Sequence, residues 1–159
     1  MISPVVGLAV LAPLAGRLMP LSEVPDPVFA AEMVGPGVAV DPTASEGPVT
    51  VVSPIAGTLV KAHPHAFIVL GPDGVGVLVH LGLDTVRLDG RGFEVHATEG
   101  STVAAGDPMV TWDVSVTRAE GLSAVVPVVA MDQPKGSVPA PDGRNVAAGD
   151  LLFEVAARG

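Results

Sequence analysis

The sequence has no cysteine among its 159 residues. That excludes disulfides and thiolate metal ligands, and it fits a chain kept in a reducing compartment. Charge is scarce as well. Charged residues make up 16% of the chain, and 17 acidic residues face 8 basic ones for a net charge of −9. A chain this acidic repels phosphate backbones, so nucleic acid is not expected as a partner. Acidity suits a partner with a basic face, and it also simply keeps a protein soluble; composition does not separate the two. The apolar run from Met1 to Gly16 has no basic n-region and is broken by Pro4 and Pro13. It is shorter than the roughly 20 residues of a membrane span. We expect it to form the first strands of a cytoplasmic protein with no direct membrane insertion. No Pro/Ser/Gly linker divides the chain, so residues 1–159 are expected to form a single domain.

What is present is apolar residues at 48%, together with 19 Gly and 16 Pro. Abundant Val, many turn formers and little charge describe short strands joined by tight turns. The expected fold is all-β with little helix. Two short helices are expected, around Pro27 to Glu32 after Asp26 as a cap, and near Ser115 to Gly121. Two internal echoes point to a sandwich or barrel with approximate duplication. Ala12-Pro13-Leu14-Ala15-Gly16 recurs as Ser53-Pro54-Ile55-Ala56-Gly57, and Val103-Ala104-Ala105-Gly106-Asp107 recurs as Val146-Ala147-Ala148-Gly149-Asp150. Each is a turn in which Gly supplies unusual backbone angles and Asp bonds its neighbours.

The most informative segment runs from His65 to Asp84. Two apolar runs flank Gly71-Pro72-Asp73-Gly74, a strong turn signal. If the hairpin turns on Pro72-Asp73, Phe67 faces Leu78 and His65 faces His80. If it turns on Asp73-Gly74, His65 faces Gly82 and His80 is its diagonal neighbour. Both registers leave the two imidazoles together on one face. Their charges repel, which favours the neutral form of at least one near pH 7. A neutral imidazole nitrogen can accept a phosphoryl group while its neighbour donates a hydrogen bond to the phosphoryl oxygens. Two imidazoles can equally begin a zinc site, or simply bond backbone groups. His63, two residues before His65, adds a third imidazole nominally on the same strand face. Pro64 between them argues for a strand edge or start. His96, in a polar stretch, is expected at the surface.

At this point the sequence resembles a known family. Val79-His80-Leu81-Gly82-Leu83-Asp84-Thr85-Val86 is similar to the phosphorylation-site motif of the glucose-type enzyme IIA proteins of the bacterial sugar phosphotransferase system. His65-Ala66-Phe67 resembles that family's second histidine motif. Residues 24–30 and 33–40, together with Thr50 to Val60 and Gly90 to Glu94, resemble further family segments, in order and over nearly the whole chain.

The resemblance implies an antiparallel β-sandwich and a phosphotransferase component with a phosphohistidine intermediate. His80 would accept the phosphoryl group and His65 would hydrogen-bond it, with no metal or other cofactor. The donor would be the small histidine-containing phosphocarrier protein, and the acceptor a cysteine on an enzyme IIB domain of a sugar permease. Asp26 and Asp84 match acidic positions that face a basic residue of the partner. Phe29, Met33, Val34, Leu78 and Val86 would lie in an apolar docking surface. Regulated transporters or enzymes are further expected partners, and the chain is expected to be a monomer.

Three departures stand out. His63 takes a place where relatives often carry threonine, and Pro36 replaces a commonly acidic residue. The amphipathic N-terminal extension of some relatives is missing, so tethering by that route is not expected. With no attached permease segment, a free-standing carrier is expected.

Two alternatives start from the same residues. A lysostaphin-type zinc peptidase would use His80…Asp84 and His63-Pro64-His65, but those patterns occur here in reversed order. A lipoyl- or biotinyl-like carrier module needs a lysine at a hairpin tip, and neither Lys61 nor Lys135 is read as one.

Overall fold

Short Val-rich runs bounded by Gly, Pro and Asp become strands. In a computed structural model, which describes residues 7–43 and 45–156, the chain opens with β1 Leu8–Leu11 and β2 Gly16–Pro20. A 3-10 turn at Leu21–Glu23 and helix α1 Pro27–Ala30 lead into β3 Gly37–Asp41 and β4 Pro48–Val52. The middle of the chain forms β5 Gly57–His63, β6 Ala66–Leu70 and β7 Gly76–His80, followed by a 3-10 turn at Thr85–Leu88. Next come β8 Phe93–Val95, β9 Thr102–Val103, β10 Pro108–Asp113 and helix α2 Val114–Ala119. The last strands are β11 Val126–Ala130, β12 Asn145–Val146 and β13 Leu151–Val155. Met1 to Val6, the start of the run read as first strands, lie outside the described residues. Both helices are short and capped by an aspartate, α1 by the Asp26 read from the sequence and α2 by Asp113. The Asp26 carboxylate accepts from the Val28 and Phe29 amides, and the Asp113 carboxylate accepts from the Ser115 amide.

The strands form antiparallel sheets. Eight lie in the order β12-β2-β3-β11-β7-β6-β5-β9, three as β4-β10-β8, and two as β1-β13. One buried cluster joins all three sheets. It brings Val10, Phe153, Val51 and Trp112 of the smaller sheets against Val40, Phe67, Val77, Val79 and Val128 of the large one. Burying each such side chain contributes about 1.5–3 kcal/mol. A smaller cluster of Leu21, Val24, Phe29, Ala39, Leu83, Val125 and Val129 gathers around α1 and the first 3-10 turn.

The sequence echoes mark a pseudo-twofold relation. The large sheet reads as a palindrome about β11 and β7, with two-residue strands at each end. The Leu11 amide donates to the Pro54 carbonyl and the Val52 amide to the Pro13 carbonyl, so the first echoed pair clasps itself reciprocally. Each member is then tied to one of the second pair. Ala12 exchanges hydrogen bonds with Gly149 and Asp150, and Ser53 exchanges them with Gly106 and Asp107. Inside those turns the Asp107 and Asp150 carboxylates accept from the amides of Ala104 and Ala147, both at 2.8 Å.

The β6–β7 hairpin departs from the expected register. Leu70 pairs with Gly76, Phe67 with Val79, and Ala66 with His80. Gly71 and Val75 close the loop, and Gly74 takes a left-handed φ of 77°. The loop therefore has three central residues, the geometry of a type I turn followed by a glycine bulge, and the added residue shifts the pairing by one. A one-residue slip would put His65 on the far face of a continuing strand. His65 escapes this because it is not in a strand. Pro64 and His65 form the two-residue turn between β5 and β6, closed by the His63–Ala66 pair. His63 and His65 consequently belong to different elements, not to one strand face.

Candidate functional site

His80 is the last residue of β7, where two features end the strand. β7 pairs with β11 through Val79–Val128. One step further along that register stands Pro127, which has no N–H to offer the His80 carbonyl. Gly82 then turns the chain with φ 81°. The turn is pinned from three sides. The Leu81 amide donates to the His65 carbonyl at 2.7 Å, the Leu83 amide to the Ser123 carbonyl at 2.9 Å, and the buried Thr85 hydroxyl to the Leu81 carbonyl at 2.8 Å.

This turn aims the Gly82 carbonyl at the imidazole, with His80 Nδ1 2.6 Å from the Gly82 oxygen. A carbonyl only accepts, so Nδ1 carries the proton and donates, leaving Nε2 with its lone pair. A fixed tautomer with Nε2 unprotonated is what a nucleophilic imidazole requires. His65 reaches the same spot from its turn. Its ring centroid lies 5.3 Å from that of His80, with the rings at 75°. On the other side Phe29 packs its ring 5.3 Å from His80. His63 stacks on the outer side of His65 at 5.8 Å and 24°.

Burial lowers the proton affinity of both inner imidazoles. Burial pushes the His80 pKa below its ordinary 6.5, outweighing the Gly82 hydrogen bond and the carboxylates of Asp26 and Asp84, which pull it up. Burial, then the positive charges that His80 and His63 would carry, lower that of His65. The sign of the linked stability follows. The unfolded chain protonates these rings below about pH 6.5 while the folded chain resists. Their contribution is therefore fully present above pH 6.5 and is lost as pH falls through the depressed folded-state values. Denaturant midpoints should accordingly drop as pH is lowered from 7.5 to 5, and His80→Asn should flatten that drop. Equal slopes for both chains would contradict it.

The residues expected at the partner surface are placed unequally. Met33 and Val86 are strongly exposed, at 67% and 61%, and Asp84 is exposed beside Val86. Val34 and Leu78 are half-buried, and Asp26 is half-buried as the cap of α1. Phe29 is buried at 7% exposure, so its ring forms a wall of the His80 site and not an open surface. Val28, which the sequence did not single out, is 44% exposed on the same helix. The Gly82 and Ser123 carbonyls and Pro127 were also not singled out; their roles depend on strand register and long-range contacts. His96 is exposed and hydrogen-bonded to the Thr111 hydroxyl on the three-stranded sheet. Among the described residues, no group of three or more His, Asp or Glu side chains is arranged to hold a metal ion. No helix among them is long and apolar enough to cross a membrane.

Comparisons with known proteins show which family and fold the chain shares. A family model described as "phosphoenolpyruvate-dependent sugar phosphotransferase system, EIIA 1" matches residues 8–135. The mannose-specific EIIBCA component of Corynebacterium glutamicum is 45% identical over 128 residues, spanning 79% of this chain but 18% of that protein. The glucose-specific EIIA component of Bacillus cereus is 43% identical over 122 residues, spanning 76% of this chain and 72% of the relative. Among solved structures, glucose permease IIA from Mycoplasma capricolum superposes with a TM-score of 0.85 at 35% identity. It covers 97% of this chain and 99% of that one.

Proposed function

We propose that this chain, which belongs to the EIIA 1 family of the phosphoenolpyruvate-dependent sugar phosphotransferase system, is a single-domain phosphocarrier that holds a phosphoryl group on Nε2 of His80. The observation that carries the reading is the 2.6 Å contact from His80 Nδ1 to the Gly82 carbonyl, which leaves Nε2 as the basic nitrogen. In the forward step a phosphorus–nitrogen bond on a histidine of the small phosphocarrier protein breaks as the His80 Nε2–phosphorus bond forms. The donor's nitrogen leaves with the electron pair. In the second step a cysteine thiolate of an EIIB component takes the phosphoryl group and His80 returns to its neutral state. His65 hydrogen-bonds the phosphoryl oxygens across a ring separation of 5.3 Å.

An EIIB component as acceptor is supported by two relatives that join A with B in their own names, EIIBCA. The relatives divide between mannose-specific and glucose-specific names. That division suits a carrier whose sugar is chosen by another component. Val28, Met33 and Val86 are exposed apolar side chains on the two segments that bring Phe29, Asp26 and Asp84 to His80, the α1 segment and the chain after β7. Such exposed apolar side chains near carboxylates suit a monomeric cytoplasmic carrier that docks transiently on basic partners, and they equally suit regulated transporters or enzymes.

Labelling tests the reading. After incubation with the phosphorylated carrier protein, the chain should carry an acid-labile, base-stable phosphate that maps to the peptide containing His80. Label on any other residue would reject it. His65→Ala should still accept label but pass it to an EIIB component at least about tenfold more slowly, having lost a hydrogen-bond donor and kept the nucleophile. Equal loss in both half-reactions would contradict the separate roles.

A further inference from the structure

Of the four imidazoles, two have ring hydrogen bonds: His80 to the Gly82 carbonyl and His96 to the Thr111 hydroxyl. Among the described residues, the rings of His63 and His65 have none, and no ion pair holds either. They form the outer part of a row, with His63 stacked at 5.8 Å on His65, and His65 at 5.3 Å edge-on to His80. His63 is the exposed end of that row, on the part of β5 beyond its short pairing with β9.

A phosphoryl group on His80 brings roughly two negative charges into this row. The site is already short of positive charge, because the carboxylates of Asp26 and Asp84 face His80. The added charge draws a proton toward the nearest ring that can become cationic. His80 is committed through its two nitrogens, and burial resists a charge on His65. His63 is exposed to water. Other charged groups lie near it. Glu99 uses its carboxylate to accept from the Ala62 amide at 3.0 Å, Lys61 is two residues back on β5, and Asp89 precedes Gly90, whose backbone lies against Pro64.

We propose that His63 is a positioning residue that takes up a proton from water when His80 becomes phosphorylated, acting on the phosphoryl group through its stack on His65. A cationic His63 holds the His65 ring in the row and offsets part of the phosphoryl charge. Phosphoryl transfer itself stays balanced, with one phosphorus–nitrogen bond broken and one formed, and the additional proton comes from solvent. The inference rests on the phosphocarrier reading and adds to it that phosphorylation is coupled to pH.

The test uses phosphoramidate as a small phosphoryl donor and nitrogen-15 NMR of the histidine rings. The titration midpoint of His63 should rise on phosphorylation by at least about half a pH unit, a threefold gain in proton affinity. The same treatment of His80→Asn should leave it in place. The ratio of phosphorylated to free chain at equilibrium should increase at least about twofold for the parent chain, relative to His63→Gln, as pH falls from 8.5 to 6. His63→Lys, charged throughout, should keep the favoured value across that range. A His63 midpoint that does not move in the phosphorylated chain overturns the inference and leaves the carrier reading intact. Failure of His80 to form any adduct, with phosphoramidate or with the protein donor, overturns both.

Discussion

A chain carrying His80→Asn should accept phosphoryl label at least about a thousandfold more slowly than the parent, equivalent to some 4 kcal/mol of barrier. Asparagine is the informative replacement. Its side-chain amide sits near the Nδ1 position and can still donate to the Gly82 carbonyl, which His80 contacts at 2.6 Å. The turn keeps its internal bond, and what disappears is Nε2. Stability at pH 7.5 should change by no more than about 1 kcal/mol, so lost labelling would not reflect lost folding. The parent chain should also keep its labelling rate as pH falls to about 6.5 and somewhat below, because burial holds the His80 pKa under its ordinary value and preserves the neutral nucleophile. Rapid stopped-flow or quench labelling across pH 5 to 8.5 checks both statements. His80→Asn labelled at the parent rate would remove the assignment altogether.

The parts of this site that were legible in the sequence are those set by local chemistry. Asp26 before Pro27 marks a capped turn of helix, and the two Val-Ala-Ala-Gly-Asp runs mark turns whose Asp carboxylates bond backward in the same way. The fold class followed from Val-rich runs between Gly and Pro. The histidine pair was legible from proximity, but the reason for it was not. The register is set by Gly74, which adds a third residue to the loop and pairs Ala66 with His80. His65 meets His80 because Pro64 and His65 make a turn of their own, something two-residue periodicity does not display. The burial of Phe29 was similarly hidden. Its helix is too short to show a periodic face, and its partners Leu83, Val125 and Val129 lie far along the chain. Pro127, which leaves the ladder beside His80 unclosed, can be understood only once β11 is known to neighbour β7.

Gly82→Ala joins fold and chemistry at one atom. Gly82 has φ 81°, and an added Cβ would stand 2.7 Å from Thr85 Cγ2 and 2.8 Å from the Ser123 carbonyl oxygen. Neither neighbour can retreat cheaply. The Thr85 hydroxyl is bonded to the Leu81 carbonyl, and the Ser123 carbonyl holds the Leu83 amide. The left-handed backbone costs alanine about 1–2 kcal/mol and the crowding about 1–3 kcal/mol. The folded state should therefore lose about 2–5 kcal/mol in urea denaturation. Relief of the clash requires the peptide to rotate, and that rotation carries away the carbonyl which orients His80. Among molecules that remain folded, phosphoryl acceptance should fall on the order of a hundredfold, the effect of an ångström-scale displacement of a reacting group. Val10→Ala provides the comparison, since Val10 is buried in β1 within the main core and outside the histidine cluster. It should lower stability while leaving the labelling rate of the folded fraction close to that of the parent. Should Gly82→Ala slow labelling no more than Val10→Ala does, the Gly82 carbonyl is not what aims His80.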